Sequence, residues 1–116
     1  MRTRRYPGLT LRVLGRRAAV IGPGKAELIE RIAETGSISA AARAMGMSYR
    51  RAWQLAETLN RDFREQVIAT ATGGRSGGGA RATAFGLRLA ADFRAMERKA
   101  SAAIAADLRR YARRLR

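Results

Sequence analysis

Arginine is the residue type that offers most chemistry in this chain. The 116 residues include 24 cationic side chains against 9 acidic ones, a formal charge of +15, and every cation except Lys25 and Lys99 is an arginine. A planar guanidinium group matches phosphate oxygens and the guanine edge with paired hydrogen bonds. A GC-rich genome explains arginine in place of lysine, but it does not explain so large a net charge. The charge therefore favours a polyanionic partner, with nucleic acid preferred over an anionic membrane surface.

The missing residue types exclude several kinds of active site. The chain has no cysteine and no histidine, which removes disulfides, thiolate nucleophiles, the commonest general base and the commonest transition-metal ligand. Its carboxylates do not cluster, and no apolar run approaches the ~18–20 residues that span a bilayer. The basic N-terminus lacks the apolar stretch of a signal peptide. We therefore expect a cytoplasmic, nucleoid-associated protein with no enzymatic activity, no metal site, no cofactor and no membrane partner.

Hydrophobic periodicity predicts a mainly α fold with short β-hairpins. After a basic arm at residues 1–8, alternation predicts strands at 9–14 and 18–21, and three- and four-residue spacing predicts an amphipathic helix at 25–35. Further helices are expected from about Ile38 to Met45 and from Tyr49 to about Phe63. Short strands are expected at 67–70 and 81–83. From Gly86 the apolar residues keep helical spacing to Leu115, which predicts one long helix with a strongly basic end.

The helices within residues 38–60 have the spacing of a helix-turn-helix. Ala42 is small enough for a close helix crossing, Gly46 tolerates the positive φ of the turn, and Ser48 can cap the second helix. In this motif the second helix enters the major groove with its N-terminus first. Its exposed start offers Tyr49, Arg50, Arg51 and Gln54, and Trp53 is expected to be partly buried. An ordinary helical hairpin is the alternative interpretation.

A glycine-rich segment at residues 73–79 follows the presumed recognition helix. Five glycines in seven positions permit close approach to a DNA backbone, and Arg75 and Arg81 supply charge for phosphates or a narrow minor groove. The segment therefore predicts the wing of a winged helix-turn-helix. A flexible linker is the alternative, whereas a nucleotide phosphate loop fails because no Lys-Ser or Lys-Thr follows the glycines.

Two strings carry a family resemblance. TGSISAAARAMGMSYRRAWQLAETLN, followed by TATGGRSGGGARATAFGLRL, resembles the N-terminal DNA-binding domain of ModE-type molybdenum-responsive regulators, which belongs with the LysR-like winged helix-turn-helix group. The resemblance covers roughly residues 9–89 and implies a dimeric transcriptional regulator of bacteria. Such regulators often carry molybdate-binding β-barrels after this domain. We expect no such barrels in this chain, so molybdate is a possible ligand by resemblance alone.

These observations combine into one prediction of architecture. Residues 9–85 are expected to form a winged helix-turn-helix domain that binds double-stranded DNA, and residues 86–116 a long C-terminal helix that forms a homodimer. Packing of that helix on its own domain is the alternative. The DNA-binding candidates are Ser37, Ser39, Ser48, Tyr49, Arg50, Arg51, Gln54, Arg75, Ser76 and Arg81. The dimerisation candidates are Met96, Ala100, Ile104 and Leu108.

The function predicted from the sequence is sequence-specific transcriptional regulation. Two alternatives stay open. One is an architectural, nucleoid-type protein that binds DNA with low sequence specificity. The other is a single-domain oxyanion sensor in which Lys25, arginines and helix N-termini hold molybdate.

Overall fold

A computed structural model describes residues 6–71 and 79–116 of the chain. Within these ranges the chain forms five helices and two antiparallel hairpins, one hairpin before the first three helices and one before the last two. This confirms the prediction of a mainly helical fold. The elements in chain order are β1 (Val13–Leu14), β2 (Ala19–Ile21), α1 (Pro23–Thr35), α2 (Ile38–Met45), α3 (Tyr49–Asp62), β3 (Ile68–Thr70), β4 (Ala80–Ala82), α4 (Ala84–Ala103) and α5 (Ala105–Ala112).

Local sequence signals set the ends of the first three helices. Gly36 ends α1 at φ 70° and Gly46 ends α2 at φ 68°, both in the left-handed region that glycine enters without a Cβ clash. Ser37 and Ser48 precede α2 and α3, and each hydroxyl accepts a backbone N–H of the following first turn at 3.1 Å. Pro23 opens α1, where a missing N–H costs nothing.

The core lies around α1, which packs against α2, α3 and α4. Large apolar side chains from α1, α3, β3 and α4 fill it, including the fully buried Leu28, Ile32, Leu59, Ile68 and Phe93. Alanines occupy several further buried positions of the helices, with Ala41 and Ala42 on α2 and Ala52 and Ala56 on α3. Small side chains at these positions let α2 and α3 approach each other closely.

The predicted strands exist but are shorter than expected. The strand predicted at residues 9–14 is reduced to Val13–Leu14, because Gly22 and Pro23 limit β2 to three residues and residues 9–12 lie outside the pairing. In the second hairpin, Ile68 pairs with Ala82 and Thr70 with Ala80. Thr83, predicted as the end of a strand, is instead the N-cap of α4.

The prediction of one long C-terminal helix is wrong in one respect. Ile104 leaves helical geometry (φ −111°, ψ 16°) and divides the segment into α4 and α5. The sequence has neither proline nor glycine there. The division falls beyond Arg94, the last buried residue of α4, and α5 has no buried residue. Few tertiary contacts therefore oppose a local departure from helical geometry in this part of the chain.

Candidate nucleic-acid interface

The connection between α2 and α3 is a tight three-residue turn. The N–H of Met47 donates to the carbonyl of Ala42 at 3.0 Å, and Gly46 supplies the left-handed residue that closes the end of α2. Met45 and Met47 are half-buried on either side of this glycine and pack against the core. The turn therefore fixes the direction in which α3 leaves α2.

Opposite faces of α3 are occupied by different residue types. Ala52, Ala56 and Leu59, spaced i, i+4 and i+7, are buried against the core. On the other side the same spacing, continued by one turn, produces an exposed stripe. This outward stripe consists of Arg50, Gln54, Glu57 and Arg61. A helix repeats every 3.6 residues, so these four side chains project almost directly away from the core.

The two adjacent arginines, Arg50 and Arg51, lie on different sides of α3. Arg51 is exposed but lies about 100° around the helix from Arg50. It shares its flank with the half-buried Leu55. Tyr49 and Trp53, which are 53% and 41% exposed, lie on the opposite flank together with Asn60. Arg50, in the outward stripe, and Arg51, on a flank, therefore occupy geometrically distinct positions.

The three predicted serines lie at the beginnings of α2 and α3. Ser37 and Ser48 use their oxygens as N-caps, accepting from Ala40 and from Arg51. Their hydroxyl protons stay free in direction, because a cap uses only the oxygen as acceptor. Ser39 is half-buried in the first turn of α2, and Ser48 is exposed. A hydroxyl at Ser48 can thus donate to an anion beside the first turn of α3.

The second hairpin presents one of its predicted binding residues outward. Arg81 is exposed, while its neighbour Ala80 is buried, as expected for alternate residues of a strand. The hairpin continues one pair beyond the strands, where the N–H of Ala71 donates to the carbonyl of Gly79 at 2.9 Å. Arg75 and Ser76, with most of the predicted wing at residues 73–79, lie outside the described residues.

A single amide side chain joins α3 to the hairpin. Asn60 Oδ1 accepts the N–H groups of Val67 at 2.8 Å and of Ile68 at 3.0 Å, and Nδ2 donates to the carbonyl of Ile68 at 2.9 Å. From the other side, Thr83 Oγ1 donates to the carbonyl of Gln66 at 2.6 Å. Sequence reasoning missed this junction, because Asn60 reads as an ordinary polar residue near a helix end.

One arginine is part of the interior. Arg94 is 8% exposed and donates to both carboxylate oxygens of Glu30 on α1, at 2.9 and 3.0 Å, and to Glu97 at 2.8 Å. The hydrogen bond to Glu30 raises the pKa of Arg94 above its usual value against the opposing effect of burial. This residue therefore joins α4 to α1 and is not available to a polyanion.

Lys25, the lysine considered as an oxyanion ligand, forms a hydrogen bond within the fold. Its Nζ donates to the carbonyl of Ala19 at 3.2 Å. Burial lowers the pKa of Lys25 below its usual value, partly offset by the charge of Asp62. In the described ranges no cluster of acidic side chains is arranged to hold a metal ion. Nor does any helix there have the length and apolar character needed to cross a membrane.

The predicted dimerisation residues follow one side of α4 and continue into α5. Met96 is 40% exposed, and Ala100, Ile104 and Leu108 are half-buried. Because Ile104 interrupts the helix, Met96 and Ala100 belong to α4 and Leu108 to α5.

The described part of the molecule measures 56 × 28 × 23 Å along its principal axes. It is therefore distinctly elongated.

Comparison with known proteins relates the chain to bacterial molybdenum proteins. No protein-family model matches it. It is 43% identical over 77 residues to the molybdenum-pterin-binding protein MopA of Rhodobacter capsulatus, a match covering 66% of this chain and 29% of that protein. It is 40% identical over 70 residues to the molybdenum transport protein ModE of Azotobacter vinelandii, covering 60% of this chain and 26% of the relative.

A third relative is a named transcription factor. The DNA-binding transcriptional dual regulator ModE of Escherichia coli (strain K12) is 40% identical over 67 residues, covering 58% of this chain and 26% of its own length. The chain thus spans less than a third of the length of each of these relatives. They are binding, transport and regulatory proteins, and none of the three is named as an enzyme.

Proposed function

We propose that this chain is a sequence-specific, DNA-binding transcriptional regulator built as a winged helix-turn-helix. Its similarity to a DNA-binding regulator of the ModE type supports this function. The observation that carries the proposal is the outward stripe of α3, which includes Arg50 and Gln54 and lies opposite a fully buried face. Side chains so placed can enter a groove without disturbing the core.

Helix α3 is proposed to lie in the major groove with its N-terminus foremost. Arg50 is the base-reading residue, since a guanidinium reads guanine O6 and N7 with two hydrogen bonds and Gln54 one turn later can read adenine. Arg51, about a quarter-turn away, contacts phosphate instead. Ser48 and the free N–H groups at the start of α3 are placed for a second phosphate. These assignments give different roles to two arginines for which the sequence analysis made no distinction.

The β3–β4 hairpin is proposed as the base of the wing. Arg81 projects from its outer face and is assigned to a phosphate, and Arg75 stays a predicted contact of the wing loop. A wing of this kind needs strands on both sides of the loop, and β3 and β4 meet that requirement. The resemblance to ModE-type regulators extends through this segment.

A homodimer through α4 and α5 completes the proposal. An exposed Met96 and the half-buried Ile104 and Leu108 form an apolar side on the part of the chain that follows Arg94, where no residue is buried against the domain. Pairing two copies would place two recognition helices on a two-fold DNA site, with half-sites about one helical turn apart. Sedimentation analysis should show a dimer at micromolar concentration. A monomer there would remove dimerisation from the proposal.

Selection of bound duplexes from random DNA tests the function directly. We expect a recovered consensus, with binding that weakens with salt at a slope of about −5 in log K against log salt if about six phosphates are contacted. Arg50→Ala should cost about 1–3 kcal/mol and relax the preference at one base pair. Arg51→Ala, the matched control, should weaken all sequences alike. Recovery of no consensus would favour an architectural protein, and a salt slope near zero would reject DNA binding.

A further inference from the structure

The base of the β3–β4 hairpin packs into the core through Val67, Ile68 and Ala80, and each of its strands also forms hydrogen bonds to the rest of the molecule. At β4, the N–H of Ala80 donates to the carbonyl of Gly36 at 3.0 Å, a contact between backbones that no side-chain substitution removes. At β3, the attachment is the side chain of Asn60, which satisfies three backbone groups of Val67 and Ile68. Of these hydrogen bonds, the one at β4 joins two backbones, whereas those at β3 depend on a single side chain.

We infer that Asn60 is a positioning residue for DNA binding, which sets the angle between α3 and the hairpin. The inference rests on the proposed function. With α3 in the major groove, this angle decides whether Arg81 reaches a phosphate while Arg50 faces a base edge. Asn60 does not touch DNA in this arrangement. It acts on Arg81 through the strand that it holds.

Burial makes the Asn60 contact hard to replace. Val67 and Ile68 are 0% and 1% exposed, so water cannot readily take over the hydrogen bonds of their N–H groups. An amide is also the side chain that offers an acceptor and a donor together at this length. Loss of Asn60 should therefore let the hairpin rotate about the Gly36 hydrogen bond until β3 finds other partners for these groups.

A double-mutant cycle in DNA binding tests the inference on the full chain. The probe is the duplex recovered by selection, at 0.1 M salt. Arg81→Ala in the wild-type background should weaken binding about eightfold, the factor that a slope of ~0.9 for one phosphate produces at this salt concentration. In an Asn60→Ala background the same change should weaken binding less than about twofold, because the arginine no longer reaches its phosphate. The effect of Arg50→Ala should be the same in both backgrounds.

Two further variants keep the result interpretable. Asn60→Asp retains the acceptor for both N–H groups but replaces the donor to Ile68 with an oxygen that faces the Ile68 carbonyl, so the contact with β3 is weakened without being removed. If Asn60→Ala does not fold, Asn60→Asp should still do so. The effect of Arg81→Ala is then measured in the Asn60→Asp background, where it should again be smaller than in the wild-type chain. Thr58→Ala removes a hydroxyl that donates within α3 to the carbonyl of Leu55 at 2.8 Å and should leave the Arg81 effect intact.

The outcomes separate the inference from the function on which it rests. An undiminished Arg81 effect in the folded Asn60 variants would overturn the inference and leave the proposed function standing. Equal losses of the Arg50 and Arg81 effects would also overturn it, since they would indicate general disruption and no specific positioning of the hairpin. If neither arginine affects binding in the wild-type chain, the DNA contacts assigned to Arg50 and Arg81 are wrong and the inference falls with them. The proposed function itself fails only if selection recovers no consensus or if binding does not depend on salt.

Discussion

Replacing Arg94 with methionine removes the cation that joins α4 to α1. Methionine keeps much of the apolar stem beside Phe93, so the change mainly deletes the guanidinium. Three charge-assisted hydrogen bonds are lost, two to Glu30 and one to Glu97. Breaking a buried ion pair from one side is costly because the remaining charge is poorly solvated.

The expected magnitude follows from how exposed the two carboxylates are. A fully buried pair broken in this way costs about 3–5 kcal/mol. The Glu30 and Glu97 side chains are 26% and 24% exposed, so water recovers part of their solvation. We therefore expect a loss of about 2–3 kcal/mol in the free energy of unfolding. For a domain of this size that corresponds to a fall in Tm of roughly 8–12 °C.

Thermal and urea unfolding followed by circular dichroism measure this loss. Arg98→Met is the matched control, since Arg98 is exposed on the same helix and a surface change of this type alters stability by no more than about 0.5 kcal/mol. The difference between the two variants should persist at high salt, because screening acts weakly on a buried pair. If Arg94→Met is no more destabilising than Arg98→Met, the assignment of Arg94 as the link between α1 and α4 is wrong.

Three glycines provide further tests by the same urea assay. A Cβ on Gly86 would lie 2.4 Å from the carbonyl oxygen of Val67, so Gly86→Ala should lose about 1–2 kcal/mol even after its gain in helix propensity. Gly24→Ala, whose Cβ would meet nothing within 4 Å, should be neutral or stabilising. Similar behaviour of the two variants would contradict the close approach of α4 to Val67, the residue before β3. A Cβ on Gly46 would also meet nothing within 4 Å, but this residue has φ 68°. Gly46→Ala should therefore lower the free energy of unfolding by about 1–2 kcal/mol through backbone strain alone, and Gly46→Asn should lower it clearly less. Equal losses for alanine and asparagine would argue against that explanation.

The first three helices could be predicted from the sequence because their signals are local. Ser37 and Ser48 cap helices whose own first turns supply the N–H groups, and Gly36 and Gly46 end helices through their own dihedral angles. The buried and exposed faces of α3 follow from spacing alone. Each of these features depends only on residues close together in the chain, so the local sequence pattern is sufficient to predict it.

Features that depend on distant residues could not be predicted in this way. Arg94 lies 64 residues from Glu30, and nothing in the spacing of α4 indicates which carboxylate it meets. The three bonds of Asn60 depend on where β3 passes α3. The interruption at Ile104 has no breaking residue in the sequence and reflects the lack of packing around α5.

The outward direction of Arg50 relative to Arg51 could have been obtained from spacing, had the buried face of α3 been used as the reference.

The small side chains between α2 and α3 have an evolutionary consequence. A GC-rich genome supplies alanine codons freely, but at Ala42, Ala52 and Ala56 the available space decides which residue the fold accepts. These three are at most 4% exposed, and a valine there adds two methyl groups between packed helices at a cost of about 1–3 kcal/mol. An exposed alanine such as Ala91 is free to drift with base composition. Packing should thus keep alanine at these three buried positions whatever the base composition of the genome.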